Sequence, residues 1–476
     1  MFNHSFLSLR RLIAGISALI VILTTLRLLH PMRGPQPGLL GGSGSALVPD
    51  PLGPPVDYLE KNPDPRSCTE RLGLAYLEGF RENRAQYCSP ASPSQLMCFH
   101  SQTTPDGRVD SFCVGQNAVF SSSLGKFQFS CERVEPRGVE SNQTAPTLEE
   151  FPSYMYKTGP RHIFDDLVNL DSQIADNKAM EGITILVKRE GADNIWHSLM
   201  EIMATSMTLD VLQMTRSAGS LHPIISTEDA LNTQVVIVDS HNNGPYFDLW
   251  RLFAKMPVTR LPDLSTDFNT SLVIIPLPGG SNPIWQGDWE PNICQHSDLL
   301  RTFERRVRQH FNITEPIKLP DQVVVTFIKR EGTRKLIDQD ARIEALREQY
   351  HEDKVLIQVI DFAVLPLTQQ IQIIRSTDVL VGVHGAGLTH GLWLREGSAM
   401  VEILPDSFEH KGFRNLAGAL GHNYFSTHAS TRKTSRRSDN TWQMSDVTLD
   451  EGRWLQLVDV AIRSMYNKGR HNFDIN

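Results

Sequence analysis

The sequence predicts an α/β protein with two Rossmann-like lobes behind an N-terminal membrane anchor and a stem. From residue 151 to residue 425, apolar runs of strand length alternate with segments of helical length. That alternation is typical of parallel sheets with helices on their faces. The chain has 476 residues, which is too long for one hydrophobic core, and its 40% hydrophobic and 21% charged composition indicates a folded protein.

The N-terminal segment contains an uncharged apolar run, Leu12 to Leu26, which extends to Leu29 if Arg27 reaches the interface. Such a run suits a thin early-secretory bilayer. No convincing cleavage site follows it, so we predict an uncleaved type II signal anchor rather than a signal peptide. The Pro- and Gly-rich stretch after it cannot bury a core and is predicted to be a flexible stem.

Cysteines, sequons and charge indicate a lumenal setting. The six cysteines lack CxxC spacing, which favours disulfides over zinc, and 15 pairings remain open. Acceptor sequons at Asn142, Asn269 and Asn312 are predicted N-glycosylation sites. The net charge of −8 argues against nucleic acid as a partner.

The predicted elements form two successive α/β units. The first unit has strands and a closing helix at Ile183–Lys188, Val235–Asp239, Leu272–Pro276 and Asp298–Phe311. The second has strands at Val323–Lys329, Val355–Ile360, Val379–Val383 and Ala399–Leu404, and helices at Gln339–Tyr350, Pro366–Ser376 and Leu388–Leu394. Two such lobes place a cleft between the carboxyl ends of two sheets.

The predicted order along the chain is a cytosolic tail (1–11), a transmembrane signal anchor (12–29), a stem (30–57), a cysteine-bearing lead-in region (58–150), the first lobe (151–320), the second lobe (321–425), and a polar loop with a closing helix (426–476).

A glycine-rich turn, His384-Gly385-Ala386-Gly387, separates a buried strand from an apolar segment. Glycines allow the backbone to approach a ligand, and amides at a helix start favour an anion, so the turn is predicted to hold a diphosphate. A purely structural tight turn is the alternative. His384 is predicted to donate to phosphate or sugar. His390 is assigned to the same site or to packing, and Glu402 to a ribose hydroxyl pair or a salt bridge.

Cations follow the first strand of the second lobe. Arg330, Arg334 and Lys335 are predicted to neutralise donor phosphates, with a solvated turn as the alternative. Asp338-Gln339-Asp340 matches a D-x-D metal signature, but Asp is also favoured at a helix start. We therefore assign no metal site and leave a divalent metal requirement open.

Asn194, His197 and Glu201 are spaced to share one face of a helix in the first lobe. A histidine and a carboxylate on one face suit the wall of a cleft. We predict Glu201 as the general base toward an acceptor, or as the group that orients His197 for that task. A solvated helix face is the alternative.

With these residues in view, the chain resembles glycosyltransferase family 61, and within it the EGF-domain-specific O-linked N-acetylglucosamine transferases. The family's G-x-HGAGLTH hallmark stands at 382–390, followed by Glu402. Its Arg-x-x-x-Arg-Lys rim motif matches Arg330, Arg334 and Lys335, and its upstream Asn-x-x-His-x-x-x-acid motif ends here at Glu201. The Asp-x-Trp element adds Asp248 as a secondary candidate.

This resemblance implies a GT-B fold, a UDP-sugar donor and inversion at the anomeric carbon. It implies transfer of a sugar, with GlcNAc as the favoured one, to Ser/Thr of lumenal or secreted proteins. A pentosyltransferase acting on a glycan and a non-catalytic lumenal binding protein are the competing interpretations. The expected location is the Golgi or endoplasmic reticulum membrane, with the catalytic part lumenal.

Overall fold

The computed structural model describes residues 52–58, 64–102, 107–139, 143–173, 181–217, 219–316, 321–432, 442–467 and 472–474. These residues fall in one compact unit, Pro51–Asn476. The predicted anchor, most of the predicted stem and the sequon at Asn142 lie outside them. Within the ranges just given, no helix has the length and apolarity needed to cross a membrane.

The first sheet has ten strands in the order β5-β1-β2-β3-β10-β7-β8-β9, with β4 paired to β3 and to β6. Strands β10, β7, β8 and β9 are parallel, and β10 pairs antiparallel with β3. The cysteine-bearing region therefore extends the sheet of the first lobe. The strands are β1 Arg84–Cys88, β2 Gln95–His100, β3 Ser111–Ser121, β4 Lys126–Gln128, β5 Arg133–Gly138, β6 Val168–Asn169, β7 Ile183–Val187, β8 Thr233–Ile237, β9 Thr259–Arg260 and β10 Phe268–Ile275.

The second sheet has seven strands in the order β12-β11-β13-β14-β15-β16, with β17 paired to β15. All of its pairings are parallel except β15 with β16. Its first four strands match the predicted ones closely. The strands are β11 Val323–Ile328, β12 Val355–Ile360, β13 Val379–Val383, β14 Ala399–Pro405, β15 Asn423–Arg432, β16 Asp446–Thr448 and β17 Asn472–Asp474.

Nine α-helices are described in this part of the chain: α1 Arg66–Leu72, α2 Leu74–Glu82, α3 Pro160–Leu167, α4 Ile195–Gln213, α5 Asp298–His310, α6 Gln339–Gln349, α7 Leu367–Ser376, α8 Gly412–Ala419 and α9 Glu451–Ser464. The predicted α-helix over Leu388–Leu394 is instead a 3-10 helix, Ala386–Trp393. Most residues of helix α4 are buried, polar ones such as Glu201 and Asp210 included, so it is a central helix of the fold. It shares one core with Leu388 and Met400 of the second sheet's layer.

The predicted disulfides are confirmed, and the structure resolves their pairing as Cys68–Cys294, Cys88–Cys131 and Cys98–Cys113. The first bridge closes a loop of 226 residues and ties the start of the described chain to the segment before α5. Long closed loops constrain the unfolded chain most.

The two sheets and the helices confirm the mixed α/β class that the sequence predicts, for the described residues.

Among its parallel strands, each sheet has a point where the chain reverses its direction of strand addition. In the second sheet it lies between β11 and β13, and in the first between β7 and β10. In open α/β sheets, ligands bind beyond the carboxyl ends of the strands at such a point. The predicted rim after β11 and the glycine-rich turn after β13 both lie there.

Candidate functional site

A histidine–carboxylate pair lies at the reversal point of the first sheet. His197 Nδ1 is 2.8 Å from Glu190 Oε2, and the His197 side chain is 19% exposed. Glu190 directly follows β7 and is buried, and its Oε1 accepts a hydrogen bond from the Gly280 amide at 3.2 Å. A carboxylate on Nδ1 selects the Nδ1–H tautomer and leaves Nε2 to accept a proton.

Glu201 lies beneath this pair rather than beside it. Its Oε1 accepts the Glu190 backbone N–H at 2.5 Å, and its side chain is buried. Burial, followed by the negative charge of Glu190, holds the pKa of Glu201 well above its usual range. Its Oε2 has no hydrogen-bond partner among the described residues and lines two cavities of about 20 and 10 Å³. Glu201 is buried and bonded to the Glu190 backbone, so it fits the predicted role of orienting His197, here through Glu190, better than that of a base in contact with an acceptor.

The other predicted residues of the first lobe hold structural positions. Asn194 is the N-cap of α4, and its Oδ1 accepts the Trp196 amide at 3.0 Å, so it starts the helix that carries His197. Asp248 is exposed and lies beside His310, which hydrogen-bonds to the Asp248 backbone. The described sequons are Asn269 in β10 and Asn312, which is exposed with φ 52°.

Two guanidinium groups pack over the glycine-rich turn of the second lobe. A Cβ on Gly385 would lie 2.8 Å from Arg330 Nη1 and 2.9 Å from Arg334 Nη1, and Gly385 has φ 153°. Arg334 has φ 58° and donates from Nη1 to the His384 carbonyl at 3.1 Å. Burial lowers the pKa of Arg330. Burial, followed by the neighbouring positive charge of Arg330, lowers the pKa of Arg334 to about 10. Holding two partly buried positive charges together is unfavourable, so a bound anion would stabilise this pair of arginines.

The His384 ring is oriented by a buried hydrogen-bonded chain. Glu402 is fully buried in β14; its Oε1 is 2.5 Å from His384 Nδ1, and its Oε2 accepts the Tyr424 hydroxyl at 2.5 Å. Both oxygens are thus engaged by the protein. This does not fit the prediction that Glu402 holds a ribose, because Glu402 is instead a hydrogen-bond partner of His384 and Tyr424. Burial lowers the pKa of His384, while Glu402 opposes that shift.

The remaining predicted residues of the second lobe divide between packing and the rim. His390 Nδ1 lies 2.7 Å from the Gly387 carbonyl oxygen, and its Nε2 lies 2.7 Å from Gln370 Oε1. Burial lowers the pKa of His390 to about 4, so it is a packing histidine. Ala386 and Gly387 begin the 3-10 helix, where amides are not used by the helix itself.

The rim beside Arg330 is an open recess. Lys335 and Asp338 line this surface recess, which measures about 480 Å³. Asp338 occupies the N-cap position of α6, as predicted, but it has φ 58° and its side chain makes no capping hydrogen bond. A cavity of about 830 Å³ lies elsewhere, at the starts of β7 and β8.

A run of aromatic contacts joins the two halves of the site. The His197 ring lies 4.6 Å from Trp285, and Trp196 lies 6.4 Å from Trp285 and 5.5 Å from Phe413. The distance from Phe413 to His384 is 5.5 Å. The Glu190–His197 pair and the glycine-rich turn are therefore linked through packed aromatic side chains.

Sequence reasoning missed Glu190 and Tyr424. Glu190 sits in Lys188-Arg189-Glu190-Gly191 immediately after a predicted strand, and the same tetrapeptide follows β11. That repetition was a usable signal for the edge of the first sheet. Tyr424 gave no signal, since an apolar strand carries tyrosine for packing as readily as for hydrogen bonding.

Comparison with known proteins bears on the same residues. Residues 196–401 match the family model Glycosyltransferase 61. The EGF domain-specific O-linked N-acetylglucosamine transferase of Drosophila melanogaster is 28% identical over 270 residues, which are 54% of this chain and 48% of the relative. Its Mus musculus counterpart is 31% identical over 235 residues, covering 47% and 41%. The chain thus spans about half the length of these curated relatives or less.

A solved D-isomer specific 2-hydroxyacid dehydrogenase family protein from Klebsiella pneumoniae 342 covers 60% of this chain and 92% of its own, with 10% identity and a TM-score of 0.17. A TM-score that low does not establish a shared fold. The sequence match includes His197, Arg330, Arg334 and the turn at His384. The predicted resemblance to glycosyltransferase family 61 is thereby confirmed over residues 196–401.

Proposed function

We propose that this protein is an inverting glycosyltransferase that moves GlcNAc from UDP-GlcNAc to Ser/Thr hydroxyls of lumenal or secreted proteins. One observation carries the proposal: a histidine–carboxylate pair and a two-arginine anion site lie at the reversal points of two sheets and are joined by aromatic contacts. The relatives' names supply the sugar and the acceptor class. The two sheets would act as the lobes of a GT-B enzyme.

On the donor side, the diphosphate would lie against the turn at Gly385. Arg330 and Arg334 would face its oxygens, and the amides of Ala386 and Gly387 would add dipoles aimed at the charge that develops on the leaving group. A Cβ at position 385 would occupy the space that the guanidinium groups need. Glu402 and Tyr424 would hold the His384 ring in one orientation at this site.

On the acceptor side, His197 would take the proton. The acceptor oxygen would attack the anomeric carbon, the bond from that carbon to the phosphate oxygen would break, and the hydroxyl proton would pass to His197 Nε2. Glu190 would stabilise the imidazolium through Nδ1. A single displacement of this kind inverts the anomeric configuration.

We further propose that the transfer requires no divalent metal, because two guanidinium groups can neutralise the charge that develops on the diphosphate. A location in the endoplasmic reticulum or Golgi, with the segment 12–29 as a type II anchor, completes the proposal. The three disulfides are consistent with an oxidising compartment.

The test is a titration of the full chain with UDP, UDP-GlcNAc and UDP-xylose. Thermal stabilisation and donor hydrolysis are measured, each in Mn²⁺ and in EDTA. We expect stabilisation by UDP and UDP-GlcNAc and hydrolysis of UDP-GlcNAc that persists in EDTA. Preference for UDP-xylose would instead favour pentosyl transfer. Binding without turnover in the presence of acceptor peptides would favour a lumenal binding protein, and no response to any nucleotide would refute the proposal.

A further inference from the structure

Trp289 is one of the exposed large hydrophobic residues of the described chain. It is 57% exposed, whereas Trp196, Trp250, Trp393 and Trp454 are all buried. Leaving a large apolar ring in water forgoes the free energy of its burial, so an exposed tryptophan beside a polar cleft indicates a binding surface.

The backbone around Trp289 is fixed by polar contacts to the second half of the molecule. The Asp288 carbonyl accepts the Lys411 amide at 2.6 Å, and Asp288 Oδ2 is 2.8 Å from His410 Nε2. One residue after Trp289, the Glu290 carbonyl accepts Asn415 Nδ2 at 2.9 Å. The indole is therefore presented from a braced segment, which reduces the entropy lost when a ligand binds.

The indole also lies close to the anion site. Its centroid is 5.1 Å from His410 and 5.5 Å from Phe408, with interplanar angles of 82° and 76°. His410 is in turn 5.1 Å from His384, at the start of the glycine-rich turn. Trp289 is thus one ring beyond His410 as seen from the place where a diphosphate would bind.

From these contacts we propose that Trp289 binds the apolar face of the donor's sugar ring. This inference rests on the proposed function, and it adds the residue that distinguishes a nucleotide sugar from the bare nucleotide. A pyranose presents a face of C–H groups, which a flat and rigid aromatic surface covers without needing a charge. The sugar is attached to the outer phosphate of the donor. It would therefore extend away from the arginine pair toward neighbouring side chains such as Trp289.

The position of Trp289 favours the donor's sugar over the acceptor. Aromatic rings in contact with His197 include Trp285 at 4.6 Å and Tyr156 at 5.8 Å, so the acceptor hydroxyl would meet these residues first. Trp289 contacts the residues around His384 instead. An uncharged ring also offers nothing specific to the diphosphate, which the guanidinium groups would hold.

The experiment measures the affinity of the full chain for UDP and for UDP-GlcNAc, in wild type, Trp289→Ala and Trp289→Phe. We expect Trp289→Ala to bind UDP within about twofold of wild type and UDP-GlcNAc about tenfold more weakly. Trp289→Phe should recover most of the lost affinity. Ile293→Ala is the matched control, since Ile293 is 77% exposed four residues along the same segment, and it should change neither affinity.

Several outcomes separate this inference from the proposed function. Wild type that binds neither ligand would refute the proposed function and the inference with it. Trp289→Ala that binds both ligands as wild type does, or loses both equally, would overturn the inference alone. An effect confined to the KM of the acceptor would also overturn it. If Trp289→Ala fails to fold, Trp289→Leu takes its place: an unchanged ratio of the UDP and UDP-GlcNAc affinities would count against the inference, and a selective loss of UDP-GlcNAc affinity would support it.

Discussion

The tetrapeptide Lys-Arg-Glu-Gly occurs twice, at 188–191 and at 329–332, each time directly after a central parallel strand. In the first copy, Arg189 is buried and binds Asp239 through Nε at 3.0 Å and Nη2 at 2.8 Å. In the second copy, Arg330 donates from Nε to the Thr333 carbonyl at 3.0 Å and packs over the glycine-rich turn.

The glutamates of the two copies differ just as much. Glu190 is buried against His197, whereas Glu331 is exposed and pairs with Lys329. An aspartate follows the next strand in both sheets, but Asp239 neutralises Arg189 while Asp361 caps a 3-10 helix through the Ala363 amide at 3.0 Å. The same tetrapeptide therefore contributes a carboxylate that contacts His197 in one sheet and a guanidinium group over the glycine-rich turn in the other.

The largest expected effect separates the two glutamates. Glu190→Gln should lower kcat about 10²- to 10⁴-fold, because the amide cannot stabilise the His197 imidazolium as a carboxylate does. UDP affinity should stay within about twofold. Steady-state kinetics and a UDP titration check both quantities.

Glu331→Gln is the control for that experiment, because it makes the same change in the exposed copy. Its kcat should match wild type. If the two glutamine variants lose activity equally, the assignment of Glu190 to the mechanism is wrong.

The next effect separates the two arginines. Arg189→Met should destabilise the fold by about 3–5 kcal/mol, because it leaves Asp239 buried without its partner. Arg330→Met should not destabilise it, since burial already lowers the pKa of Arg330, and should weaken UDP binding about 10- to 100-fold. Urea unfolding of both variants measures the loss of stability, and UDP titration measures the loss of affinity. Equal loss of stability in the two would show that Arg330 is a structural residue.

A smaller effect tests the glycine of the turn. Gly385→Ala should weaken UDP binding by about tenfold, because a Cβ there meets both guanidinium groups and φ 153° disfavours a side chain. Gly332→Ala is the control, since no atom lies within 4 Å of its Cβ position. Unchanged UDP affinity in Gly385→Ala would place the diphosphate elsewhere, and the two variants are compared in one titration.

The strands of the second sheet and the anion site were predictable from the sequence. Continuous apolar runs bounded by polar residues define buried parallel strands, and cations or glycines at their carboxyl ends mark a ligand site regardless of the exact packing. Arg330, Arg334 and the turn at Gly385 follow from that rule.

The first half of the site depends on contacts that periodicity does not contain. Helical spacing correctly places Glu201 near His197, but it does not say that α4 is buried on all sides. Glu190 reaches His197 from seven residues away across a loop. Tertiary packing therefore decides which of two nearby carboxylates hydrogen-bonds to His197.

The smallest expected effect concerns Glu201. Its pKa in the folded protein is held above the ordinary value of 4.5 by burial and by Glu190. The folded state thus keeps a proton that the unfolded state releases, so stability falls as pH rises from about 4.5 toward the raised pKa. Glu201→Gln keeps an oxygen for the Glu190 amide and cannot titrate, so it should flatten this decline while kcat stays within about threefold. Urea unfolding at pH 5, 7 and 8 and kcat measure both effects, with exposed Glu331→Gln as the control. A large loss of kcat with an unchanged pH dependence of stability would return the base to Glu201.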